Sequence, residues 1–142
     1  MAIDAIDLTR CLVNIESTSY HEGAVGAYLA DFLAAQRYAV ERMPVDQRDP
    51  ARTQCNDADE RFNVYAAEPG VTPDVVLSTH MDTVPPFFGC REDDEFLYGR
   101  GACDAKGIIA EMCIRDRRSV TRRESRRETR QPRPRCRRWI RC

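Results

Sequence analysis

Apolar positions early in the chain recur at helical spacing. Leu8, Cys11, Leu12 and Ile15 fall on one side of a period of about 3.6 residues, which predicts an amphipathic helix over residues 3–16. Ser17-Thr18-Ser19 breaks that pattern. Ser19 followed by Glu22 has the spacing of a capping box, in which a hydroxyl and a carboxylate each satisfy an orphan amide at a helix start. The helix predicted from there runs to about residue 37 and carries Val25, Tyr28, Leu29, Phe32 and Leu33 on one stripe. The period then shortens. Residues 38–45 alternate as a strand, 46–61 are polar and read as a surface loop, and 62–66 form a second strand. Pro69-Gly70 turns the chain into a third strand over 74–79, whose apolar run predicts burial on both faces. A short strand at 97–98 and a helix beginning over 107–112 complete the pattern. Two helices, three strands and a helix imply an α/β layered fold. No internal repeat is visible.

Charge changes the picture only at the far end. Residues 1–114 carry nine basic and twenty acidic side chains, whereas 115–142 carry thirteen arginines and three acids. The formal net charge of −1 therefore averages two opposed segments. From Arg115 onward no period survives, and such a segment buries too little apolar surface to offset its ordering entropy. Residues 113–142 are expected to be a disordered Arg-rich tail. No run approaches the ~20 apolar residues of a membrane span, and the opening Met1-Ala2-Ile3-Asp4 lacks the basic and apolar regions of a secretory signal. The cytoplasm is the expected compartment. Seven cysteines, an odd number without a C-x-x-C pair, argue against a disulfide framework and a zinc ribbon, and most read as small apolar residues.

Two stretches carry candidate chemistry. Ser78-Thr79-His80-Met81-Asp82-Thr83-Val84-Pro85-Pro86 follows the third strand, so His80 lies where α/β proteins place ligands. Asp82 shares its face if the backbone stays extended. A carboxylate there can take a proton from one imidazole nitrogen and leave the other free for a metal. Tyr98-Gly99-Arg100-Gly101-Ala102-Cys103-Asp104-Ala105-Lys106-Gly107 places Asp104 in a glycine-rich loop before a helix. The glycines suit positive φ or a close approach, and neither nucleotide-binding glycine pattern is present. Each stretch alone has an ordinary reading: a solvated loop for the first, an N-capping aspartate for the second. His21 lies between the first two helices and takes such an ordinary reading.

As a pair, S-T-H-M-D-T-V-P-P and L-Y-G-R-G-A-C-D-A-K-G resemble the two N-terminal signatures of the M20 metallopeptidases. That family includes acetylornithine deacetylases, succinyl-diaminopimelate desuccinylases, aminoacylases, carboxypeptidases and dipeptidases. The resemblance spans roughly residues 5–112, including I-E-S-T-S between the first two helices. It implies the N-terminal part of a three-layer αβα zinc-hydrolase catalytic domain over residues 1–112. It further implies that His80 ligates one zinc, Asp82 orients that imidazole as part of the catalytic apparatus, and Asp104 bridges two zincs, with cobalt or manganese as alternative metals. The implied reaction is hydrolysis of an amide, in an N-acyl amino acid or a short peptide, by a parent that dimerises through a domain absent here. The family's adjacent Glu-Glu pair, general base and metal ligand, does not follow Asp104, and no histidine follows His80. The chain itself is thus expected to be inactive.

Likeness to the family ends near Met112. Met112-Cys113-Ile114-Arg115-Asp116-Arg117 can be encoded by the transposon mosaic end used to prepare sequencing libraries. The expectation is that residues 113–142 are not native sequence. The alternatives to a hydrolase fragment are a non-catalytic remnant and a small nucleic-acid-binding protein acting through the arginines. The nucleic-acid reading ranks ahead of the remnant, although Trp139 is the tail's only aromatic and no nucleic-acid-binding fold precedes it.

Overall fold

The computed structural model describes residues 4–45, 61–114 and the backbone of 138–141. Helix α1 spans Ala5–Val13 and begins where the Asp4 carboxylate accepts from the amides of Ile6 and Asp7 at 2.8 and 3.1 Å. Its Leu8, Leu12 and Val13 are buried. Helix α2, Gly23–Ala35, starts later than the capping-box spacing predicts. Ser19 is not its cap; Glu22 occupies that position without a side-chain cap bond. The Glu22 carboxylate is drawn instead to the Tyr20 amide at 2.7 Å and to the Arg61 guanidinium at 2.7 Å, an ionised partner that a free helix end cannot match.

Strand β1 (Ala39–Pro44) pairs antiparallel with β2 (Phe62–Ala67), from Ala39 opposite Ala67 to Pro44 opposite Phe62. On β2, Phe62, Val64 and Ala66 alternate inward, as a strand with one covered face should. They meet Val25, Leu29 and Leu33 of α2, Leu8 and Leu12 of α1, and Ile109, Ala110 and Cys113 of helix α3 (107–114) in one apolar core. A small hairpin joins β4 (Arg91–Glu92) to β5 (Leu97–Tyr98), its turn held by Asp93 accepting from the amides of Glu95 and Phe96. Asn14, just past α1, accepts from the Cys90 amide at 2.9 Å and ties this hairpin to the first helix.

Two expectations need correction. Strand β3 (Val75–Ser78) is not buried on both faces: Val75 and Val76 are exposed. An apolar run predicts two covered faces only if elements exist to cover them, and among the described residues α2 packs on β1 and β2. The second correction concerns the tail. Strand β6 (Arg138–Arg141) lies within the sheet, whose order is β1-β2-β6-β3, antiparallel to β2 and parallel to β3. Composition weighs side chains, whereas here the backbone of β2 on one side and β3 on the other offers hydrogen bonds to any strand of suitable length. The rest of the predicted tail, 115–137, and the predicted loop over 46–60 lie outside the described residues. Cysteine burial is also more mixed than expected: Cys113 is buried, but Cys11 and Cys103 are exposed. Among the described residues no helix is long and apolar enough to cross a membrane.

Candidate functional site

The site is assembled by the connector between α1 and α2. Ser17, fully buried, donates its hydroxyl to the Met81 carbonyl at 2.8 Å and accepts from the Thr83 amide at 2.8 Å through its own carbonyl. The Ser19 amide returns a bond to the Thr83 carbonyl at 3.1 Å. Residues 17–19 and 81–83 therefore run side by side, with Thr18 bridged to Thr83 in the parallel sense. This lateral support keeps the backbone after β3 extended, and His80 and Asp82 come onto one face.

The second loop approaches the same connector. Gly101 has φ +85, and a side chain there would come within 2.7 Å of the Thr83 Cγ2. The segment Ala102–Lys106 leads into α3, with Asp104 extended (φ −135, ψ 100) and the Asp104–Ala105 peptide cis. Lys106 turns inward, fully buried, and donates Nζ to the Ile15 carbonyl at 2.6 Å. One connector thus holds both loops.

Between them lies His80. Its Nδ1 sits 3.2 Å from Asp82 Oδ1 and 3.1 Å from the Asp82 carbonyl, and its Nε2 sits 3.0 Å from Asp104 Oδ1. All three oxygens only accept, so the ring is set up as an imidazolium donating at both nitrogens. Burial works against that charge, but the hydrogen bond to Asp104 and the interactions with Asp82 outweigh it, and the His80 pKa is raised above the ordinary histidine value. The side chains remain accessible: His80 is about half exposed and Asp104 largely so.

His80, Asp82 and Asp104, the three positions singled out in the sequence, are therefore brought together in one chain of contacts. Two donors held about 2.0–2.1 Å from one tetrahedral ion would lie about 3.3 Å apart, close to the His80–Asp104 separation. The pair has the right donor chemistry for zinc, an imidazole backed by a carboxylate plus a second carboxylate. It is also incomplete. A catalytic zinc takes three protein ligands, and among the described residues no group of three or more His, Cys, Asp or Glu side chains gathers to hold a metal.

The motifs alone did not reveal Ser17, Ser19 and Lys106 as parts of the site. Ser-x-Ser is a detectable alternation in an extended segment, but its spacing to Glu22 pointed to a helix cap. Burial of Lys106 pushes its pKa from 10.5 down to about 8, with Glu16 opposing the shift. The unfolded chain then holds this proton more tightly than the folded one, so stability should rise with pH between about 8 and 10.5. At about 1.4 kcal/mol per pKa unit the gain is on the order of 3 kcal/mol at most. Urea denaturation across that range should show the rise in the natural chain and lose it in Lys106→Met. A flat profile in the natural chain would refute the assignment.

Residues 76–114 match the profile of peptidase family M20/M25/M40. A "probable carboxypeptidase" of Arthroderma gypseum is 37% identical over 119 residues, covering 75% of this chain and 25% of that protein. One from Aspergillus terreus is 39% identical over 107 residues, covering 71% and 24%. The chain thus spans about a quarter of the length of these curated relatives. Among solved structures, a tripeptidase from Staphylococcus aureus superposes with a TM-score of 0.62 at 19% identity, over 96% of this chain and 35% of that one. Human carnosine dipeptidase 1 superposes with a TM-score of 0.56 at 24% identity, over 75% and 26%. At these identities the structural likeness speaks for the fold.

Proposed function

Because the chain belongs by descent to peptidase family M20/M25/M40, we propose that it is the N-terminal part of the catalytic domain of a metal-dependent amide hydrolase. The observation that carries this reading is His80 held between Asp82 and Asp104, with both loops anchored on one connector. His80 and Asp104 would hold the metal, zinc in our reading with cobalt or manganese as alternatives, and Asp82 would fix the imidazole. When bound, such an ion polarises an amide carbonyl and acidifies a water molecule. The remaining ligands and the proton acceptor would come from outside this chain, which has no adjacent glutamate pair after Asp104. The substrate class that fits is a short peptide or an N-acyl amino acid, the first supported by the peptidase names of the relatives. Without the missing groups the chain should not turn over.

The test is a zinc titration of the metal-free 142-residue chain. Binding is expected to be weak, to strengthen as pH rises through the raised His80 pKa because metal and proton compete for Nε2, and to vanish in His80→Ala. Unchanged zinc affinity in His80→Ala would sink the reading. Chelator-sensitive hydrolysis by the chain itself would overturn the part that calls it incomplete.

A further inference from the structure

The Asp82 carboxylate has two oxygens and two different neighbours. Oδ1 faces His80 Nδ1 at 3.2 Å, and Oδ2 accepts the Ser19 hydroxyl at 2.8 Å. A carboxylate held at one oxygen alone can swing about its Cβ–Cγ bond, and with it the direction in which it addresses the imidazole. Held at both, it has one orientation. Ser19 is itself fixed, because its amide bonds to the Thr83 carbonyl and its neighbour Ser17 is locked on Met81 and Thr83.

We propose that Ser19 is a positioning residue that acts through Asp82 on His80. The hydroxyl pins Asp82 so that Oδ1 joins the Asp82 carbonyl on Nδ1; two acceptors there against the single Asp104 oxygen at Nε2 keep the neutral ring's proton on Nδ1 and leave the Nε2 lone pair for a cation. That is the tautomer a metal between His80 and Asp104 requires. The contact itself is an observation of the structure. Only its purpose rests on the metal-site reading above.

The experiment follows ring nitrogens in the intact, metal-free chain. The sequence contains only two histidines, so His80 is assigned by comparison with His21→Gln. Long-range proton–nitrogen NMR spectra are recorded well above the His80 pKa, where the ring is neutral. The natural chain should show mainly the Nδ1–H form. Ser19→Ala should move most of the population to the Nε2–H form that free imidazoles favour, and Ser19→Thr, which keeps the hydroxyl, should restore the original pattern. An unchanged pattern in Ser19→Ala overturns the proposal. So does an equal shift in Ser19→Thr, because the cause would then be packing rather than the hydroxyl.

Zinc titration of the same variants separates the two ideas. Ser19→Ala should weaken binding on the order of tenfold, as loss of an outer hydrogen-bonding partner does at metal sites. If the ring pattern shifts in Ser19→Ala but His80→Ala leaves zinc affinity untouched, the positioning contact stands and the metal reading falls. If His80→Ala abolishes binding while Ser19→Ala leaves the ring pattern unchanged, the reverse holds.

Discussion

Asp104→Asn, made in a form of the protein continued to the length of its relatives, should lower amide hydrolysis by a factor on the order of 10³ or more. The substitution keeps the size of the side chain and removes its charge. A neutral amide oxygen is a poorer partner for a hard cation, and the amide nitrogen that replaces one oxygen carries only donors toward a ring nitrogen that must itself be free. Little stability is at stake, because the Asp104 side chain is largely exposed and its contact with His80 is a surface one. The expected change in unfolding free energy is within about 0.5 kcal/mol. Activity and stability should therefore separate, with kcat collapsing and the melting temperature holding. Activity within tenfold of the unaltered protein would remove Asp104 from the metal site. If source DNA read across the codon for Glu111 continues in the family's frame, it should encode the adjacent Glu-Glu pair that this chain lacks; a natively encoded Arg-rich tail would count against the hydrolase reading.

Gly107→Ala should do the opposite, and damage the fold first. A methyl group at position 107 would lie 2.4 Å from the backbone carbonyl oxygen of Ala102, and a carbonyl cannot rotate away as the end of a side chain can. Two effects compete. Alanine is the better helix former by about 1 kcal/mol at a position whose φ of −65 and ψ of −36 are helical. The clash forces a backbone shift, and overpacking of this kind typically costs about 1–3 kcal/mol, occasionally more. The clash should win, because relieving it means opening the turn that carries Asp104. We expect a net loss of stability in urea denaturation together with weakened zinc binding. A stabilised Gly107→Ala variant with unchanged zinc affinity would show that the turn adapts freely.

The elements with the clearest periods were legible in the sequence. Both long helices, the β1–β2 pair and the start of α3 lie where the spacing of apolar residues puts them, within two to three residues at the ends. The shared face of His80 and Asp82 was legible from their spacing, whereas the approach of Asp104 to them rested on the family resemblance. Gly101 adopts positive φ as expected, and Gly107 serves a close approach. What was not legible is non-local. Ser19 had a sufficient local explanation as a helix cap, and nothing nearby in the sequence says that its hydroxyl prefers a carboxylate 63 residues away. The burial of Lys106 was not legible either, because burial of a long side chain depends on what closes over it. β3 misled for a related reason: its apolar run describes what the strand could bury, whereas its exposure reflects what is present to cover it.

The lattice of contacts around residues 15–19 also bears on how the molecule is made. Its bonds join partners far apart along the chain: Ser17 to Met81 across 64 residues, Lys106 to Ile15 across 91. The helices and the β1–β2 pair need far shorter loops to be closed and should form earlier, since closing entropy grows with the length enclosed. His80 and Asp104 then meet only in the last stage of folding. On the ribosome this sets a definite order of events. The first half of the core can condense while synthesis continues, but the two donors cannot come together until Lys106 has cleared the exit tunnel, so until then the nascent chain has no place for a metal to settle.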